Sequence, residues 1–355
     1  MKAQLSLLLV SFPLLSALAG AANAATMYSL TNLGSLYESA PSRPYGISAS
    51  GEVTGYSTTQ SGYTDAFLYS GGVIHDLGVL AGTTSSQGNS VNSSGQVTGT
   101  SFSMPSGPYD AFLYSGGVMT NLTSVVGTNS EGFGINNNGQ ITGSAAETGF
   151  IYSGGRVTVL NGTEAGYSIN ASGQVAGVAA DNHAFLYSAG VVTDLGTLPG
   201  YNMSGGNSIN ASAQIVGYVQ SSTSLEAFLY SGGVMTGIGS LPGFPESVAN
   251  SINDSGYVVG YALNPPTGQY DAFFYKNGVM TDLNSLISPS SGWHLEEATG
   301  INDSGQITGI GMFGESQLPF LLSPTPEPSA WLLATLGAGG LWFARRRTRG
   351  TITRR

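Results

Sequence analysis

The sequence predicts an all-β protein: a seven-bladed β-propeller of four-stranded blades, closed by its own N-terminal strand and followed by a C-terminal transmembrane helix. Three observations predict the ring. A phrase of the form Ile-Asn-x-Ser-Gly-Gln-Val-x-Gly recurs seven times, its copies lie about 42 residues apart, and the strand missing from the last copy stands at the start of the chain.

The copies begin at Ile47, Val91, Ile135, Ile169, Ile209, Ile252 and Ile301. Their turn positions are Gly51, Gly95, Gly139, Gly173, Ala213, Gly256 and Gly305, separated by 44, 44, 34, 40, 43 and 49 residues. The first strand of each unit is a short run ending at Ile-Asn, such as Asn89 to Asn92. An Asx-type turn with a left-handed residue leads into the second, Gln96 to Ser101 in that copy. Ala213 occupies the position that is Gly in the six other copies, so it is expected to carry backbone strain. Gly or Ser precedes the first-strand Ile or Val in every copy, which suits strands crowded around an axis.

The third strand reads Ala-Phe-Leu-Tyr, introduced by Asp65, Asp110, His183, Glu226 and Asp271, with Gly149-Phe150 in the third copy. Being apolar on both faces, it is expected to lie between neighbouring sheets. Gly71-Gly72, Gly116-Gly117 and Asn277-Gly278 then read as two-residue hairpin loops. The fourth strand is a Val-Met-Thr-Asp-Leu segment, as at Val279 to Leu283. The seventh copy stops after its third strand, Pro319 to Ser323, while Tyr28 to Leu36 reads like a fourth strand. A ring closed in this way limits exposed sheet edges to short ones. An open β-solenoid is the alternative, and it would call for polar caps rather than permuted ends.

Composition excludes several classes. Of 355 residues, 53 are Gly, none is Cys, and 8% are charged, against about 25% in an average soluble domain. At 41% hydrophobic the chain has enough apolar surface for a core, so it is not a disordered sequence. Without Cys there is no disulfide framework, redox dithiol or thiolate metal site. Between Lys2 and Arg345 lie three basic residues against 20 acidic ones, a net of −17, which excludes nucleic acid as a partner.

The two ends are targeting segments. Lys2, the apolar run Leu5 to Leu18, and Ala22-Asn23-Ala24 form a signal peptide of residues 1–24, cleaved between Ala24 and Ala25. This makes the Sec translocon and signal peptidase partners. At the other end, residues 325–355 contain Pro326-Glu327-Pro328, an apolar stretch from Ala330 to Ala344, and six arginines between Arg345 and Arg355. Fifteen helical residues span about 22 Å, less than the roughly 30 Å of a bilayer core, which suits a transient inner-membrane anchor. The arginines would remain cytoplasmic and leave the body outside.

This tripartite end resembles the PEP-CTERM sorting signal of Gram-negative bacteria. The resemblance implies an exosortase as processing partner and a destination at the cell surface or in the extracellular matrix, beside exopolysaccharide. His183-Ala184-Phe185, Asp194 to Gly200 and the recurrent Ile-Asn phrase resemble the HAF-repeat family of extracellular proteins over residues 25–324. That resemblance implies a secreted propeller-like repeat and transfers no activity to particular residues.

Residues that recur in phase are expected to be structural. Asp65, Asp110, Glu226 and Asp271 before Ala-Phe, Asp76, Asp194 and Asp282 ending fourth strands, and Asp254 and Asp303 in turns are therefore assigned to backbone hydrogen bonding and turns. The off-phase cluster Trp293, His294, Glu296 and Glu297 is the candidate ligand loop: an indole can stack on a sugar, and His or Glu can transfer a proton. Its structural alternative is an exposed insertion whose Trp packs back on the blade. No catalytic residue, cofactor or metal site is expected, because three histidines divided among repeats do not make a zinc site and no GxSxG or phosphate-loop motif is present. Three readings stay open. They are a non-catalytic surface or matrix protein, a carbohydrate-binding propeller using Tyr63, Tyr109, Tyr201, Tyr270 and Trp293, and a polysaccharide-cleaving enzyme. A pocket on the ring axis is expected in all three.

Overall fold

A computed structural model describes residues 28–325 apart from 39, 105 and 106. Seven four-stranded antiparallel sheets follow one another, with blades at residues 42–78, 85–121, 130–160, 163–194, 203–239, 246–282 and 293–324. The seventh blade has three strands of its own and takes Tyr28–Asn32 as the fourth. Ser29 pairs with Ser323, Leu30 with Leu322 and Asn32 with Phe320. The ring is thus closed by the opening strand, as the permuted ends predict, and the open solenoid is ruled out.

Each motif residue has a visible task. In blade 2 the Asn92 side-chain oxygen accepts the backbone N–H groups of Ser94 and Gln96, which folds the turn over Gly95 at φ +70°. The Gln96 amide reaches the hydroxyl of Ser115 at the end of the third strand. The same bond recurs from Gln174 to Ser188, Gln214 to Ser231 and Gln306 to Ser323. One Phe per blade, Phe67, Phe112, Phe150, Phe185, Phe228, Phe273 and Phe320, is fully buried between adjacent sheets. This is the two-sided burial expected of the third strand.

The last Gly of the phrase answers to a bulge. Every innermost strand slips register at least once, as between Gly88 and Ser90 or Ala249 and Ser251, and those of blades 4 and 7 slip twice. The bulge brings a carbonyl against the facing second-strand Gly: a Cβ on Gly99, Gly177 or Gly260 would lie 2.0 Å from the oxygen of Gln87, Ala165 or Val248.

The turn Asn residues also bind the ring together. Nδ2 of Asn92, Asn136, Asn170, Asn210 and Asn253 donates to the carbonyl of the next blade's Asn at 2.9–3.1 Å. Asn302 closes the circle on the carbonyl of Ser48, which stands where the other blades have Asn.

Some expected boundaries move. The innermost strand of blade 2 is Ser85–Val91, longer than the short run anticipated, because the connection from the outer strand is brief. The outer strand of blade 6 ends at Asp282, and Leu283–Leu286 forms a 3₁₀ turn that Asp282 caps by accepting the Asn284 N–H. The larger correction concerns Trp293, His294, Glu296 and Glu297. They do not form a loop insertion; they belong to Trp293–Ile301, the nine-residue innermost strand of blade 7. Among the described residues no helix is long and apolar enough to cross a membrane. The expected transmembrane helix at Ala330 to Ala344, Pro326-Glu327-Pro328 and the Ala24/Ala25 cleavage site lie outside the described residues.

Candidate functional site

Antiparallel alternation gives the disc two unlike faces. First-to-second turns and third-to-outer hairpins lie on one, the turn face; second-to-third loops and connections between blades lie on the other, the loop face. The acids before Ala-Phe begin third strands, and Asp76, Asp194 and Asp282 finish outer strands, so all fall on the loop face. Of the three basic residues in the propeller, Arg156 and Lys276 flank hairpins on the turn face, and Arg43 lies on the loop face.

The expected axial pocket is present as two chambers. The turn-side chamber, about 230 Å³, is lined by Ile47, Val91, Ile135, Ile169, Ile209, Ile252 and Ile301 with the Asn ring. The loop-side chamber, about 240 Å³, is lined by Tyr45, Phe133, Tyr167, Asn89, Asn207 and Asn250 among others. Ile47, Val91, Ile135, Ile169 and Ile301 line both, an apolar collar between them.

At the loop-side mouth an ion pair crosses the seam between the last and first blades. Arg43 Nη2 lies 2.6 Å from Glu297 Oε2, and Asn250 Nδ2 donates to Glu297 Oε1 at 3.1 Å. The guanidinium sits 5.7 Å from the ring centre of Tyr45, which packs on Tyr56 at 5.9 Å. Burial, with the Glu297 charge nearby, pushes the Tyr261 phenol up to about 12. On the opposite side of the mouth, burial and then the neighbouring Tyr218 push Tyr167 up to about 12, and burial raises the Glu131 carboxyl, which the Thr100 hydroxyl opposes. Glu297 is thus paired, and burial keeps the Tyr261 and Tyr167 phenols protonated at neutral pH.

The remaining sequence candidates are dispersed. Trp293 packs on Phe313 and Phe320, with ring centres 5.6 and 6.5 Å away, so it serves the blade. His294 is exposed and its Nε2 lies 3.2 Å from Asp271 Oδ1. Gln317 donates to Glu296 at 2.7 Å, whereas Glu297 is held by Arg43, so the two carboxylates have separate partners. Tyr201 donates its hydroxyl to Glu226 at 2.8 Å, and burial followed by that bond pushes its phenol up to about 12.

The phased acids divide into two groups. Asp76, Asp194, Asp282, Asp254 and Asp303 accept backbone N–H groups, as expected. The four before Ala-Phe depart from that assignment, since each is engaged by side chains instead. Asp110 meets Asn121 and Thr123, Glu226 meets Tyr201, Asp271 meets His294, and Asp65 is hydrogen-bonded to Asp76. Burial and then the Asp76 charge raise the Asp65 carboxyl to about 6. Among the described residues, Asp181, His183 and Asp194 could present ligand atoms to a metal, lying within 4.8 Å of one another. All three are solvent-accessible, and His183 Nδ1 is 3.2 Å from both Asp194 oxygens. That hydrogen-bonded contact accounts for the geometry without a metal.

Sequence reasoning missed a second depression on the loop face. Beside the axial mouth, between blades 1 and 2, a groove of about 400 Å³ is lined by the rings of Tyr45, Tyr56, Tyr63 and Phe102. Tyr63 was singled out in the sequence; the other three sit on strands whose side-chain direction only the bulge and the blade packing reveal.

No family model matches the chain, and no curated protein matches it. Among solved structures, it is similar to a chain of a mitotic checkpoint complex, with 12% identity, 92% of this chain and 98% of that chain covered, and a TM-score of 0.52. It is also similar to a dipeptidyl peptidase 4 from Porphyromonas gingivalis, at 10% identity and TM-score 0.41, covering 76% of this chain and half of that one. A gluconolactonase from Xanthomonas campestris is similar at 10% identity and TM-score 0.38, with 87% and 93% covered. The first of these likenesses bears on the fold alone, and the other two carry no argument.

Proposed function

We propose that the chain is a non-catalytic exported propeller, sorted to the surface or matrix of a Gram-negative cell by its C-terminal tail and associated there with extracellular polysaccharide. The observation that carries this reading is the order of Pro326-Glu327-Pro328, the apolar stretch Ala330 to Ala344 and the arginine cluster, behind a body that begins after a signal peptide. An exosortase acts on the tail after the Sec translocon and signal peptidase have delivered the body.

The body suits that setting. Each blade leaves only a short outer edge strand of four to six residues, which limits edge-to-edge association outside the cell. The non-catalytic reading is supported by the engagement of Glu297 with Arg43 and Asn250 and of Glu296 with Gln317, which leaves the strongest acid pair in the sequence tied to different partners.

Mass spectrometry of the mature protein recovered from the exporting cell tests the reading. It is expected to begin at Ala25 and to lack the arginine cluster. A mature chain still ending at Arg355 would overturn the sorting step.

A further inference from the structure

The groove between blades 1 and 2 has a composition unlike the rest of the loop face. Tyr45, Tyr56, Tyr63 and Phe102 supply four ring faces, and Thr64 and Gln87 supply a hydroxyl and an amide between them. No lining residue is charged. At about 400 Å³ it exceeds either axial chamber and falls within the roughly 300–1,000 Å³ usual for small-molecule sites.

The platform is braced from behind. Arg43 sits over Tyr45, held by Glu297, and Tyr45 packs on Tyr56. Phe102 is tilted against Tyr109 at 5.7 Å. Tyr63 is 43% exposed at the open edge, where a ligand would meet it first. Tyrosine is suited to such a surface because it offers a large amphipathic face with few rotatable bonds to freeze.

We propose that this groove binds a neutral pyranose unit of a polysaccharide. A pyranose has an apolar C–H face that stacks on aromatic rings and a hydroxyl rim that exchanges hydrogen bonds with phenol, hydroxyl and amide groups. An apolar peptide would leave those polar groups unpaired, which costs free energy on burial. Charge selects within the carbohydrates: nineteen carboxylates against three basic side chains in residues 28–325, with the one loop-face cation already paired, disfavour a uronate chain. The pyranose preference rests on the groove, and the polysaccharide that carries the unit rests on the proposed surface location.

Affinity electrophoresis of the full chain through gels containing a neutral glucan, a uronate-rich polysaccharide or no polysaccharide tests it. Retardation is expected in the neutral gel, about tenfold weaker for Tyr63→Ala. Gln87→Leu should weaken it as well, while Val234→Ala, an exposed residue beside a turn-face hairpin of blade 5, should leave it unchanged. Tyr63 is exposed, so the variant is expected to melt with the parent protein, and a matching melting curve separates lost binding from lost folding. Absence of retardation by a panel of neutral glycans, equal retardation of Tyr63→Ala, preference for the uronate gel, or capture of apolar peptides in its place would each overturn the proposal.

Discussion

Ala213 has φ +57° at a position where the other blades carry Gly, and Ala189 has φ +49° where the first two hairpins have Gly71 and Gly116. An L-residue in the left-handed region is strained, so Ala213→Gly is expected to stabilise the fold by about 1 kcal/mol. Chemical denaturation checks this, and an unchanged or lowered midpoint would contradict it. Asp65 is a second local cost. Its folded pKa of about 6 lies above the ordinary carboxylate value, so the folded state binds this proton more tightly than the unfolded one. Stability from this group is therefore full at low pH and is lost as pH rises from about 4 to about 6. Asp65→Asn should raise the melting temperature at pH 7.5 and leave it little changed at pH 4; the reverse order would refute the pairing with Asp76. The strain at Ala213 was legible because six phased glycines define its position. Arg43 was not legible as a clasp, since Glu297 lies 254 residues away in sequence and meets it across the closing seam.

At the scale of the strand, the bulge in each innermost strand dictates glycine opposite it. Gly177→Ala places a Cβ 2.0 Å from the Ala165 carbonyl, backbone that cannot yield without disturbing the sheet. A loss of about 3 kcal/mol or more is expected by denaturation, at the upper end of what overpacking usually costs. A loss below about 1 kcal/mol would mean the strand can flatten. The recurrent Gly was plain in the sequence phrase. Its cause was not, because a bulge belongs to the pairing of two strands and leaves no residue-type mark of its own. The same limit explains the misplaced ligand loop: Trp293 to Glu297 breaks the repeat phrase yet extends a strand whose inner half, Gly300-Ile301, keeps the phase.

Across the whole molecule, the phased residues build a ring and the unphased ones differentiate its loop face. Seven-fold arrangement, strand order and closure were legible because each blade repeats the same hydrogen-bonding tasks. The groove between blades 1 and 2 was not, because it arises where Tyr45, Tyr56 and Tyr63 of blade 1 come beside Phe102 of blade 2, a juxtaposition of two sheets. The Asn circle offers a test of cooperation among blades. Ser48→Asn would supply the amide that blade 1 lacks toward the carbonyl of Asn92, and should add about 1 kcal/mol of stability by denaturation. No gain would show that the circle is complete in its present form.

The closed ring itself is tested by joining its two ends. The chain contains no Cys, and Ser29 faces Ser323 in the seventh blade, its hydroxyl donating to the Ser323 carbonyl at 3.2 Å. In Ser29→Cys/Ser323→Cys, oxidation is expected to form one intramolecular disulfide in the monomer and to raise the melting temperature, with Ser29→Cys/Ser115→Cys unlinked. A pair that stays reduced, or links only between molecules, would contradict closure by the opening strand.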